Sequence, residues 1–192
     1  MNKVIRAGAQ IIALTLSGTA GAIVLGLLAY GTAVFDPTSA GFSFVSFGFS
    51  TSLIFAFYHV RGLSDTMTAA VIVSAVQFIA ASAYVAMLRA VLFSFGLNVP
   101  VVVLAFLFER KLASMRAFRF VFVAMTFGGM FVLLTLIVDV LSGATGLPAS
   151  VFQQNFIDGV MLGLGVGLGV AAGEAFLASL AHHAEERRAR NA

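Results

Sequence analysis

The chain has 192 residues, 60% of them hydrophobic and only 10% charged, with a formal net charge of +3 at pH 7 and no cysteine. Soluble domains carry about 25% charged residues, so there is too little polar surface for an exterior that faces water, and hydrocarbon is the expected solvent. The missing cysteines remove disulfide frameworks, thiol nucleophiles and Cys-ligated clusters, and the modest positive charge gives no ground for a nucleic-acid partner.

The apolar runs are continuous and lack the strict alternation of a transmembrane barrel, which leaves helices. One crossing takes about 20 residues, so the length admits about six. The expected fold is all-α: a single domain over 1–192, a polytopic integral membrane bundle of six transmembrane helices.

Helix 1 is expected over 7–34. Lys3 and Arg6 precede it as in a signal peptide, but its apolar run outlasts the roughly 7–15 residues of a signal core, so it reads as a retained helix. Asp36, Pro37, Thr38, Ser39, Ala40 and Gly41 supply turn chemistry. Helix 2 follows over 42–60 and ends near Arg61 and Gly62, with Ser64 and Asp65 as caps for helix 3.

Two readings fit the next stretch. Helix 3 runs over 66–95 and helix 4 over 98–115, with Asn98 and Pro100 starting it; this is the favoured reading. Otherwise helix 3 stops at Arg89, and helix 4 runs over 91–108 with Gly96, Asn98 and Pro100 kinking it. Helix 5 is expected over 118–141 and a loop over 142–148, with a short interfacial helix over 149–155 as an option. Helix 6 covers 156–182, and 183–192 is a charged tail.

Basic residues orient this plan. Lys3, Arg6, Arg61, Arg110, Lys111, Arg116, Arg119, Arg187, Arg188 and Arg190 fall on one side of a six-crossing bundle, and Arg89 alone falls on the other. Basic loops are retained in the cytoplasm, so both termini are expected there and Arg89 at the outer half. Five or seven crossings would divide the clusters between two faces. The compact length and short loops suit a bacterial inner membrane.

Two constellations stand out. The first is built of small residues: Gly159, Gly163 and Gly167 form one row in helix 6, and Gly165, Gly169 and Gly173 a second. Ala9, Ala13, Ser17 and Gly21 form a similar ladder in helix 1. Small residues at four-residue spacing let helix backbones approach closely. The ladders are expected to pack the bundle, to pack against each other, or to dock a further membrane subunit or a second copy.

The second constellation is polar. Arg89, Asp139 and Asp158 fall near the outer helix ends, with Gln154 and Asn155 beside Asp158. Charge near hydrocarbon is costly unless paired or hydrated, so Arg89 is expected either to meet an aspartate or to clamp the carboxylate of a small polar or anionic solute, with the amides adding directional hydrogen bonds. Glu174 reads as a side chain reaching the inner interface, and Gln77 as an interhelical hydrogen-bond donor. His59, His182 and His183 sit near the cytoplasmic boundary without the opposed geometry of a metal or haem site. No nucleophile elbow, zinc-protease motif or phosphate loop is present. Neither enzyme activity nor a cofactor is expected.

The size, six helices, inside termini and the ladder Ala9, Ala13, Ser17, Gly21 resemble the substrate-binding membrane subunits of energy-coupling-factor vitamin transporters. That resemblance implies an outward-facing solute site and a ladder docked on a transmembrane partner. The functional expectation is small-solute binding or transport, extending to a substrate-binding subunit of a multi-subunit transporter. A non-transporting accessory or scaffold subunit of a larger membrane complex is the alternative.

Overall fold

A computed structural model of the chain describes residues 3–83, 87–99, 101–103, 119–143 and 146–190. Among them there is no strand. The helices are α1 Lys3–Tyr30, α2 Ser43–Arg61, α3 Leu63–Ala81, α4 Met87–Gly96, α5 Arg119–Leu141 and α6 Ala149–Arg190. Five apolar stretches are long enough to cross a membrane: Lys3–Phe35, Ala40–Arg61, Leu63–Ala81, Val121–Leu141 and Ala149–His183. The stretch containing α4 and the helical residues 98–99 and 101–103 is shorter. Most of the expected helix 4 over 98–115 lies outside the described residues, as do Arg110, Lys111 and Arg116.

Three boundaries differ from expectation. Helix 3 ends at Ala81 instead of reaching residue 95. At that end the Ser82 hydroxyl donates to the Ile79 carbonyl at 2.8 Å and the Ser82 backbone N–H to the Phe78 carbonyl at 2.9 Å. The start of α3 is capped by neither Ser64 nor Asp65. It follows Gly62, whose φ of +87° allows one residue to reverse the chain between α2 and α3. Finally, the 149–155 segment, helix 6 and most of the tail form one helix of 42 residues. At about 1.5 Å per residue it is about 63 Å long, so it extends well past a hydrocarbon core of about 30 Å.

The helices close into a ring. α1 packs between α2 and α6, α5 packs on the other side of α6, α3 packs on α2, and α4 bridges α3 and α5. Small residues set the tightest approaches. A side chain at Gly165 would sit 2.8 Å from the Cα of Ala22, and one at Gly169 would sit 2.8 Å from the Cα of Gly18. On the other row of α6, Gly159 faces the Phe127 carbonyl oxygen, 2.5 Å from where a Cβ would lie. Gly163 likewise faces the Ala124 Cα at 2.8 Å. A neighbouring row on α1 receives α2: Gly18 faces Ser52, Ala22 faces Gly48 and Gly26 faces Phe44.

The register fixes the direction of the chain. Ser17 meets Gly173, Gly21 meets Gly165, and Tyr30 meets Asp158, so α1 and α6 are antiparallel. Lys3 and Arg190 therefore leave the bundle at the same end. Away from the contacts the surface is apolar: Leu28, Val71, Ile79 and Val140 are all more than 60% exposed. So much exposed apolar surface is foreign to a soluble monomer and consistent with an integral membrane protein.

Candidate functional site

Opposite the end where the termini lie, the ring encloses a cavity of about 550 Å³. That size suits a small organic ligand. Pro37, Thr38, Ser39, Ala40 and Phe42, between α1 and α2, contribute one wall. Ser43, Ser46 and Phe47 come from α2, and Ala80 and Ala81 from the end of α3. Arg89, Ala90, Phe93 and Ser94 form a continuous stripe on α4, Phe131 projects from α5, and Asn155 and Asp158 come from α6. Turn chemistry organises the mouth. Asp36 Oδ1 accepts from the Thr38 hydroxyl at 2.7 Å and from the Thr38 backbone N–H at 2.9 Å, and these two bonds hold the Asp36 carboxyl below the usual carboxylate range.

The two charged groups in the wall are differently placed. Asp158 is 6% exposed, and both of its oxygens are accepting. The Tyr30 hydroxyl donates to Oδ2 at 2.5 Å, and Gln154 Nε2 donates to Oδ1 at 3.0 Å. Arg89 is exposed. Its guanidinium lies 5.6 Å from the centroid of the Phe93 ring, one turn along α4, a cation–π contact. Among the described residues no carboxylate lies within ion-pairing distance of Arg89. The structural ion pair expected for it is therefore not formed, and its five N–H donors remain available to a carboxylate.

Of the expected polar constellation, the fold brings Arg89, Asn155 and Asp158 to one cavity, with Gln154 bonded to Asp158 at its edge. Asp139 is not in the wall. It is buried in α5 at 9% exposure, with Oδ1 unpartnered among the described residues. Gln77 behaves as expected, donating from α3 to Ser46 Oγ on α2 at 3.1 Å. Glu174 does not act alone at the interface. It pairs with His59 Nδ1 at 3.1 Å and ties α6 to α2. His182 and His183 both lean on Glu186, at 3.3 and 3.4 Å. Among the described residues no group of three His, Asp or Glu side chains is arranged to hold a metal ion.

Several site residues carried weak signals. Tyr30 was visible only as a tyrosine at the end of an apolar run. Phe47, Phe93 and Phe131 pack ring against ring, with centroids 5.8 to 6.3 Å apart, yet nothing local separates them from the chain's other phenylalanines. Ser94 carries a weak clue as well: it lies four residues, about one turn, after Ala90, which lines the same cavity.

The small-residue ladders are largely occupied within the chain. Ser17 and Gly21 of α1 lie against Gly165, Gly169 and Gly173, and Gly159 and Gly163 lie against α5. Ala9 is exposed, and Ala13 and Gly167 are half-buried. No family model, no curated protein and no solved structure matches this chain.

Proposed function

We propose that this chain is an integral membrane protein of six crossings, with both termini in the cytoplasm, that binds a small polar or anionic solute from the opposite face. One observation carries the reading. Arg89 of α4 and Asn155 and Asp158 of α6, far apart in sequence, line one cavity walled by aromatic rings at the end away from the termini. Arg89 supplies a cation that no carboxylate pairs among the described residues, and Asn155 a nearby amide. Asp158, held by Tyr30 and Gln154, sets the opposite polarity across the space. The distribution of the basic residues supports the orientation, and the compact loops support a bacterial inner membrane.

Solute binding is the core of the proposal, and transport with a partner subunit is its extension. A partner would have to engage a surface other than Ser17 and Gly21, because α6 already covers them. The experiment is a thermal-shift screen of the full chain in detergent against small organic acids and zwitterions. At least one should raise the unfolding midpoint by about 4 °C or more, and Arg89→Ala should abolish the shift while leaving the unliganded midpoint in place. A shift that survives Arg89→Ala removes the clamp. If no compound in the panel shifts the midpoint, the scaffold alternative gains.

A further inference from the structure

Beneath the cavity, polar side chains of α2, α3 and α4 and the adjoining Asn98 form a directed relay. Asn98 Nδ2 donates to Ser74 Oγ at 2.8 Å, to the Ser94 carbonyl at 2.9 Å and, at longer range, to Gln77 Oε1 at 3.4 Å. Gln77 Nε2 donates onward to Ser46 Oγ at 3.1 Å. Since Ser46 is the acceptor in that bond, its own proton is free to point elsewhere, and Ser46 lines the cavity.

Ser94 lines the cavity too. The residue is 1% exposed, and among the described residues its hydroxyl has no hydrogen-bond partner. A helical serine has a ready outlet in the carbonyl one turn back, and Ser94 does not use it. A buried hydroxyl left unpaired is costly, so a ligand atom that accepts from it removes that cost. Ser46 and Ser94, on different helices, thus both line one space, the Ser94 hydroxyl buried within its wall, and the amide relay orients the Ser46 hydroxyl.

These hydroxyls and Arg89 mark different depths of the same wall. Arg89 and Ser94 are separated by about 7.5 Å along α4, at about 1.5 Å per residue. The contacting rings of Phe47, Phe93 and Phe131 line the space with them. We propose that the cavity takes a small aromatic carboxylate bearing a hydrogen-bond acceptor at the end opposite its carboxylate, and that Ser46 and Ser94 are the residues that select for that far end. The carboxylate meets Arg89, the ring packs among the phenylalanines, and the acceptor receives the serine protons. This deepens the reading of the cavity as a solute site and rests on it.

The test uses two probes of nearly equal shape, 4-hydroxybenzoate and 4-methylbenzoate, with the full chain in lipid nanodiscs and binding read by equilibrium dialysis. The wild-type chain should prefer the hydroxyl compound by about tenfold. Ser94→Ala should erase most of that preference while leaving 4-methylbenzoate within about twofold of its wild-type affinity, and Ser46→Ala should reduce the preference independently. Arg89→Ala should weaken both probes together. Equal wild-type affinities that still depend on Arg89 overturn this inference and leave the solute site standing. So does a preference unchanged in both serine variants. Binding of neither probe overturns the inference as well, and the wider screen of acids and zwitterions then decides the solute-site reading separately.

Discussion

The two sides of the ring are held together by different means. Along α1, α5 and α6 glycines bring backbones into contact: Gly165 and Gly169 against Gly21, Ala22, Ser17 and Gly18, and Gly159 and Gly163 against Phe127 and Ala124. Hydroxyls on α1 bond within their own helix: Thr15 to the Ile11 carbonyl, Ser17 to Leu14 and Thr19 to Thr15. Around α2, α3 and α4, Gln77 and Asn98 carry hydrogen bonds across helices, to Ser46 and Ser74, and large rings hold the walls apart. Small residues in hydrocarbon allow close packing that excludes volume. Phenylalanines with polar groups between them enclose volume. The first region is a seam, and the second is where a ligand fits.

The largest effect should come from filling the seam. Gly169→Leu would place a side chain against the Gly18 Cα and the Ser17 carbonyl, backbone atoms that cannot rotate away. Overpacking of a rigid contact costs about 1–3 kcal/mol and occasionally more, and this position belongs at the upper end, about 3 kcal/mol. Reversible unfolding in mixed micelles would measure it. Gly129→Leu on α5 is the control, because nothing lies within 4 Å of that position; it should be near neutral. Equal losses at the two glycines would dissolve the distinction between seam and cavity side.

The legibility of the two regions follows from the range of the forces involved. The rows Gly159/Gly163 and Gly165/Gly169/Gly173 could be read from sequence because four-residue spacing is a property of one helix. The row Gly18, Ala22, Gly26 was equally present, but choosing it over Ala9, Ala13, Ser17, Gly21 required knowing where α2 lies, and that depends on the whole bundle. Arg89, Asn155 and Asp158 were found because polar groups near the ends of apolar runs are costly and therefore conspicuous. The end of α3 at Ala81 falls inside an apolar run, where composition alone marks no boundary. Depth alone groups Asp139 with the site, and depth does not say which way a helix face turns.

A smaller loss is expected on the cavity side. Asn98→Leu keeps the volume but deletes the amide that serves Ser74, Gln77 and the Ser94 carbonyl. Interhelical hydrogen bonds in membrane bundles are worth less than burial alone suggests, because unfolded helices also find partners. About 1–2 kcal/mol is expected, measured in the same micelle assay. A loss matching that of Gly169→Leu would mean that the polar relay holds the bundle as strongly as the seam does, which would reverse the comparison.

The smallest effect lies where the two regions meet. Tyr30 ends a seam helix, and its hydroxyl donates to Asp158, a seam-helix residue whose carboxylate faces the cavity. Tyr30→Phe removes one donor and leaves the ring packed near Phe44, with centroids 5.9 Å apart. Gln154 still donates to the other Asp158 oxygen, and water entering the cavity can reach the one released. The cost should therefore be about 1 kcal/mol, near the ordinary net worth of one hydrogen bond. A double-mutant cycle with Asp158→Ala, which leaves no acceptor, separates the bond from the ring. Coupling of about 1 kcal/mol would show that the seam positions the cavity carboxylate through this contact. Coupling near zero would show that packing alone places Asp158, making the two regions mechanically independent.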